Sequence, residues 1–126
     1  MTRGRSIEVA VKRVYDPPAR SDGCRVLVDR LWPRGLSKSA AKLDAWIKEL
    51  APSDELRAWF GHDPAKWASF KRTYVRQLEQ QGNVCERLLE RCSHGTVTLL
   101  FAAKDREHNN AVALKQYLDT KLASER

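Results

Sequence analysis

A chain of 126 residues, 42% apolar and 31% charged, is long enough to bury roughly two thirds of its unfolded surface in one core and too apolar to remain disordered. Twenty-three Lys and Arg against 16 Asp and Glu leave a net charge of +7, which draws phosphates, nucleotides and nucleic acid without choosing among them. The longest apolar run, residues 97–103 with Thr98 inside it, falls far short of the ~20 residues of a membrane-spanning helix, so no membrane partner is expected. In chain order, Arg3 and Arg5 lead into an alternating pattern rather than an apolar leader. Cys24, Cys85 and Cys92 form neither a CxxC pair nor an even set, which suits free thiols in a reducing compartment; the expected location is cytoplasmic.

Ile7, Val9 and Val11 alternate with Glu8, Ala10 and Lys12, the period of two of a half-buried first strand. Turn residues Asp16-Pro17-Pro18 and Ser21-Asp22-Gly23 interrupt it, and a second strand is predicted over residues 24–28. Ser53 is placed to cap a short helix over residues 54–60. Asp63 and Pro64 then open a helix running to about Gln81, with Trp67, Phe70, Tyr74 and Leu78 on one apolar stripe. Gly82 breaks that helix, Asn83 caps another over residues 84–92, and Gly95 is expected to end it; Cys85 and Cys92 should both face the core. Residues 96–103 read as a central strand covered on both faces. A last helix is predicted over residues 107–122, with Ala111, Leu114, Leu118 and Leu122 inward and Lys115, Asp119 and Arg126 in water. The helical stretch between the second and third strands suits a crossover between parallel strands. The expected fold is therefore a single α/β domain over residues 1–126, with a small, mainly parallel sheet flanked by helices.

The predicted second and third strands each end in a polar loop. The first runs Asp29-Arg30-Leu31-Trp32-Pro33-Arg34-Gly35 and the second Lys104-Asp105-Arg106-Glu107-His108-Asn109-Asn110. Ligands of open α/β sheets bind beyond the carboxyl ends of the strands, so parallel strands would put both loops on one rim. Arg30 and Arg34 offer planar forks for a carboxylate or phosphate, Gly35 lets the backbone approach, and Lys104 adds a point charge. Asp105 can cap the last helix and turn its amides toward the same anion. Asp29, Asp105 and His108 are the candidates for handling a proton, with Asn109 orienting a substrate oxygen. The same residues also fit plain ion pairs and helix caps, and that alternative stays open. His62, His94 and His108 lack ligand spacing, so no metal is expected; no GxxxxGK[ST] or GxGxxG loop occurs, and no cofactor is assigned. Cys24, at the start of a strand, lies away from the rim and is not expected to act as a nucleophile.

Over nearly its whole length the chain resembles the YeaO-like branch of the family called domain of unknown function 488. The resemblance is carried by Lys12-Arg13-Val14-Tyr15-Asp16, by Gly23-Cys24-Arg25-Val26-Leu27-Val28-Asp29-Arg30-Leu31-Trp32-Pro33-Arg34-Gly35, and by Ala51-Pro52-Ser53. Trp59-Phe60-Gly61-His62-Asp63-Pro64, Ala102-Ala103-Lys104-Asp105 and His108-Asn109-Asn110-Ala111 complete it. It implies an α/β fold and supports the cytoplasmic location, and it implies no reaction, substrate or cofactor, because the family's name records none as established. Its WPRG and AAKD…HNNA stretches coincide with the two polar loops.

Three functions follow as expectations. The first is a pocket for a small phosphorylated or carboxylated ligand, which would suit a hydrolase or transferase. The alternative is nucleic-acid binding without catalysis, motivated by the charge and by Arg3, Arg5, Lys71, Arg72 and Arg76. The third is a protein-interaction module anchored by an exposed Trp32 or Trp59.

Overall fold

Alternating apolar residues on three strands create one surface that must be covered, and the helices do so. The structure, a computed structural model, describes residues 6–92 and 94–124. Strands β1 (Ser6–Arg13), β2 (Cys24–Leu27), β3 (Ala45–Trp46) and β4 (His94–Phe101) form one parallel sheet in the order β1-β4-β2-β3. Leu99 lies between Val11 of β1 and Val26 of β2, so β4 is central, as its apolar run predicts.

Ile7, Val9, Val26, Val97, Leu99 and Phe101 belong to one buried cluster with the apolar faces of four helices, α2 (Asp54–Phe60), α3 (Trp67–Gln80), α4 (Val84–Arg91) and α5 (Asn110–Ser124). The stripe anticipated on α3 is there: Phe70, Tyr74 and Leu78 are buried, Trp67 packs at their edge, and the Tyr74 hydroxyl donates to the Leu50 carbonyl. All four residues assigned to the inner face of α5 are buried. Each fully buried Leu or Phe contributes ~1.5–3 kcal/mol over its exposed state. On the opposite face Leu27, Leu100 and Val14 form a smaller cluster beneath Trp32, Leu36, Leu43 and Trp46, near the one-turn helix α1 (Lys38–Ala41).

Residues 14–23 link β1 to β2 and must pass over β4, which separates them, without a helix of useful length. Asp22 fastens this crossing. Its carboxylate accepts from Lys12 Nζ at 3.0 Å, Arg25 Nη1 at 2.6 Å and the Ala19 amide at 2.9 Å, and its carbonyl accepts from Thr98 Oγ1 at 2.6 Å. Gly23 follows at φ +64°, where a Cβ would stand 2.2 Å from the Thr96 carbonyl oxygen, so only glycine fits between the crossing and β4.

Several local expectations are corrected. Strand β3 carries only Ala45 and Trp46, too short for a period to show. Gly95 does not stop α4, which ends at Arg91; it lies inside β4 at φ +90°. Asn83 precedes α4 without capping it through its side chain. Helix α5 begins at Asn110 rather than residue 107, because Asn109 Oδ1 accepts from the Val112 amide at 2.9 Å and takes the capping place given to Asp105. Cys24 and Cys92 are joined in a disulfide and Cys85 alone is free and buried. Their separation of 68 residues hid a proximity that the β2–β4 pairing creates. Arg3, Arg5 and Arg126 lie outside the described residues.

Candidate functional site

Because β2 and β4 are parallel neighbours, the loops after them leave the same edge of the sheet. They line a cleft of about 380 Å³, completed by Tyr15 after β1, by Ala51 and Pro52, and by Arg57, Phe60 and His62 from α2 and the turn after it. Of the residues singled out from sequence, Asp29, Arg30, Arg34, His108 and Asn109 line this cleft together; Gly35, Lys104 and Asp105 do not. Gly35 has φ +76°, which accounts for glycine in the turn, and Lys104 is exposed.

Asp29 sits where the two strands part. Its Oδ2 accepts from the Ala102 amide at 2.9 Å and its Oδ1 from Asn110 Nδ2 at 3.0 Å, while the same Asn110 nitrogen donates to the Val28 carbonyl at 2.9 Å. Burial pushes its carboxyl above the ordinary value of 3.8, against the two hydrogen bonds and the nearby Arg57 charge, which act to lower it. The backbone carbonyl of Asp29 accepts from Trp46 Nε1 at 2.7 Å, so β3 braces this corner.

Three guanidinium groups stand on the cleft. Arg30 Nε lies 3.4 Å from Asp54 Oδ1, and Arg57 Nη2 lies 3.3 Å from the same oxygen. Arg34 is exposed, and its carbonyl accepts from the Tyr15 hydroxyl at 2.8 Å, which ties the loop after β2 to the loop after β1. A second tie runs from Arg106 to Asp16, two parallel hydrogen bonds of 2.9 and 3.0 Å that join the loops after β4 and β1. Arg13 adds a third by donating to the Ala102 and Ala103 carbonyls.

Asp105 caps a turn rather than the last helix. Its carboxylate accepts from the Glu107 and His108 amides at 2.9 and 3.0 Å and from His108 Nδ1 at 3.0 Å, and these bonds hold its pKa below 3.8. An ionised Asp105 requires Nδ1 of His108 to be the donor, which leaves Nε2 of the neutral ring as an acceptor. Trp67 meets that ring edge-on at 5.3 Å and fixes its plane. Asn109 is 3% exposed and uses both ends of its amide on backbone, donating to the Asp105 carbonyl and accepting from Val112.

Sequence reasoning passed over Tyr15, Arg57, His62 and Asn110. Asn110 lies in the HNNA stretch, where its role could have been sought. Arg57 and His62 reach the cleft only through the packing of α2, for which no local pattern exists. Trp59 is 46% exposed, whereas Trp32 is half-buried, donates to the Leu36 carbonyl at 2.6 Å and packs edge-on against Trp46.

A family model described as the inactive DUF488-N3 subclade matches residues 8–126. The chain is 42% identical over 112 residues to the uncharacterized protein YeaO of Escherichia coli (strain K12), covering 89% of this chain and 97% of that one. It is 36% identical over 115 residues to the uncharacterized protein Rv3073c of Mycobacterium tuberculosis (strain H37Rv), covering 91% and 97%. No solved structure matches.

Proposed function

The chain belongs to the inactive DUF488-N3 subclade, and from that membership and its cationic cleft we propose that it binds a small phosphorylated or carboxylated ligand without turning it over. The observation that carries this reading is the convergence of Arg30, Arg34 and Arg57 on one cleft whose remaining wall includes Phe60, Phe70, Pro33, Pro52 and Ala102. Guanidinium forks grip an oxyanion in two places at once, and an apolar wall covers the body that carries it. Lys104, on the same loop as the lining residues Ala102 and Ala103, adds positive potential at longer range. Asp29, held by the Ala102 amide and Asn110, lines the same cleft within electrostatic reach of Arg57.

The test is a thermal-shift series with phosphate, phenyl phosphate, nucleoside monophosphates and benzoate, run on the wild type and on Arg34→Ala. A ligand at a hundredfold excess over its dissociation constant should stabilise the wild type by about 3 kcal/mol, and Arg34→Ala should lose most of that shift. A shift that survives in Arg34→Ala would remove Arg34 from the site.

A second reading, hydrolysis or group transfer, rests on the Asp105–His108 pair, which presents an oriented imidazole to the cleft. Turnover of p-nitrophenyl phosphate or p-nitrophenyl acetate that disappears in His108→Ala would favour it over binding alone. A cytoplasmic location belongs to the proposal on the family likeness alone, because the Cys24–Cys92 disulfide removes the free-thiol ground for it, and cell fractionation checks it; among the described residues no helix is long and apolar enough to cross a membrane.

A further inference from the structure

One carboxylate oxygen, Asp54 Oδ1, stands 3.4 Å from Arg30 Nε and 3.3 Å from Arg57 Nη2, and both arginines line the cleft while Asp54 does not. We propose that Asp54 is a built-in counter-ion that competes with the bound anion for Arg30 and Arg57 and so sets how strongly the cleft holds it. The inference rests on the anion-binding reading above and adds its control.

Two independent features support the competition. Asp54 has a side chain 69% exposed at the first turn of α2, so its ion pairs are screened by water and weak. An oxyanion inside the cleft meets the same arginines against apolar walls, where charge pairing is stronger. Arg30 is also imperfectly served in its present pose. Its Nε is closed off from solvent and makes no hydrogen bond, since Asp54 is close enough for an ion pair but badly placed for an N–H donor. Turning that N–H onto a ligand oxygen removes an unsatisfied buried donor, and turning away from Asp54 gives up little. Arg57 has the same choice; it interacts with Asp29 across the cleft as well as with Asp54. Asp54 therefore engages both forks beside the cleft they line without saturating them.

Calorimetric titration of the full chain with phenyl phosphate tests this, using Asp54→Asn, Asp54→Ala and, as control, Glu55→Gln. Glu55 is the neighbouring exposed acid in the same first turn and is off the cleft, so its loss changes net charge and helix-terminal charge equally. Both Asp54 variants should bind phenyl phosphate about three- to tenfold more tightly than wild type, the scale of removing one charge at contact distance in a wet site, and Glu55→Gln should change affinity by less than about twofold. In an Arg30→Ala, Arg57→Ala background the gain from Asp54→Asn should vanish. If Asp54→Asn binds no better than wild type, or if Glu55→Gln gains as much, the counter-ion role is wrong while the anion site stands. Absence of binding in wild type and every variant overturns both.

Discussion

Asp29 satisfies the two strands that flank it at the cost of keeping a carboxylate largely out of water. Replacing it by Ala leaves the Ala102 amide and one Asn110 proton without their acceptor, a loss of about 1–3 kcal/mol. Its raised pKa fixes how that loss varies with pH. A group whose folded pKa lies above its unfolded value contributes fully below the unfolded value, here 3.8, and loses that contribution as pH rises through the folded one. The stability gap between wild type and Asp29→Ala should therefore be widest below pH 3.8 and narrow toward neutrality, as read by urea unfolding across that range; a gap that widens with pH would show that Asp29 is not desolvated. Asp105 and Asp16 run the other way. Amide and His108 hydrogen bonds lower the first, and the Arg106 bond lowers the second, so their contributions are present above 3.8 and fade as acid titrates them.

Among the elements, those with a repeating signal were legible and those fixed by contact were not. Alternation gave β1, the apolar run gave β4, and Ser53 and Asp63 marked their turns correctly, with Leu56 and Ala65 amides donating to them at 3.1 and 3.0 Å. β3 and the true start of α5 were not legible, since one is two residues long and the other hinges on which of two neighbouring capping residues reaches the amides. The Cys24–Cys92 bridge joins the start of β2 to the end of α4 across 68 residues, and a cross-link closing so long a loop is worth about 2–4 kcal/mol. Dithiothreitol, or the Cys24→Ser, Cys92→Ser pair, should lower stability by that amount in denaturant titrations. Iodoacetamide should then label the half-buried Cys24 in the reduced native protein and spare Cys85, whose burial pushes its thiol up to about 11. Labelling of Cys24 without any reductant would mean that the bridge is open in solution.

At the scale of the molecule, half of the site could be read in advance because it follows the apolar strands directly. Asp29, Arg30, Arg34 and His108 are loop residues beyond β2 and β4, where parallel strands deliver them to one edge. Arg57, His62 and Tyr15 come from α2, the turn after it and the loop after β1, and only the folded chain brings them there. The same comparison bears on the charge of +7, which suggested nucleic acid. Several exposed or half-buried cations are already engaged locally: Lys12 with Asp22, Arg106 with Asp16, Lys115 with Asp119, Arg91 with the Asp44 carbonyl, and Lys71 with Gln116. Of the helix α3 cations that motivated the idea, Lys71 also lies over the Trp67 ring and Arg72 donates to Ser69, while Arg72 and Arg76 are exposed four residues apart, a pair too short to track a run of phosphates. Fluorescence anisotropy with a labelled DNA duplex should consequently show only weak association that disappears by about 0.2 M salt. A log–log salt slope near −5 or steeper, the counterion release of about six neutralised phosphates, would restore nucleic acid as the partner, because a cleft holding one small anion has no means of releasing so many ions.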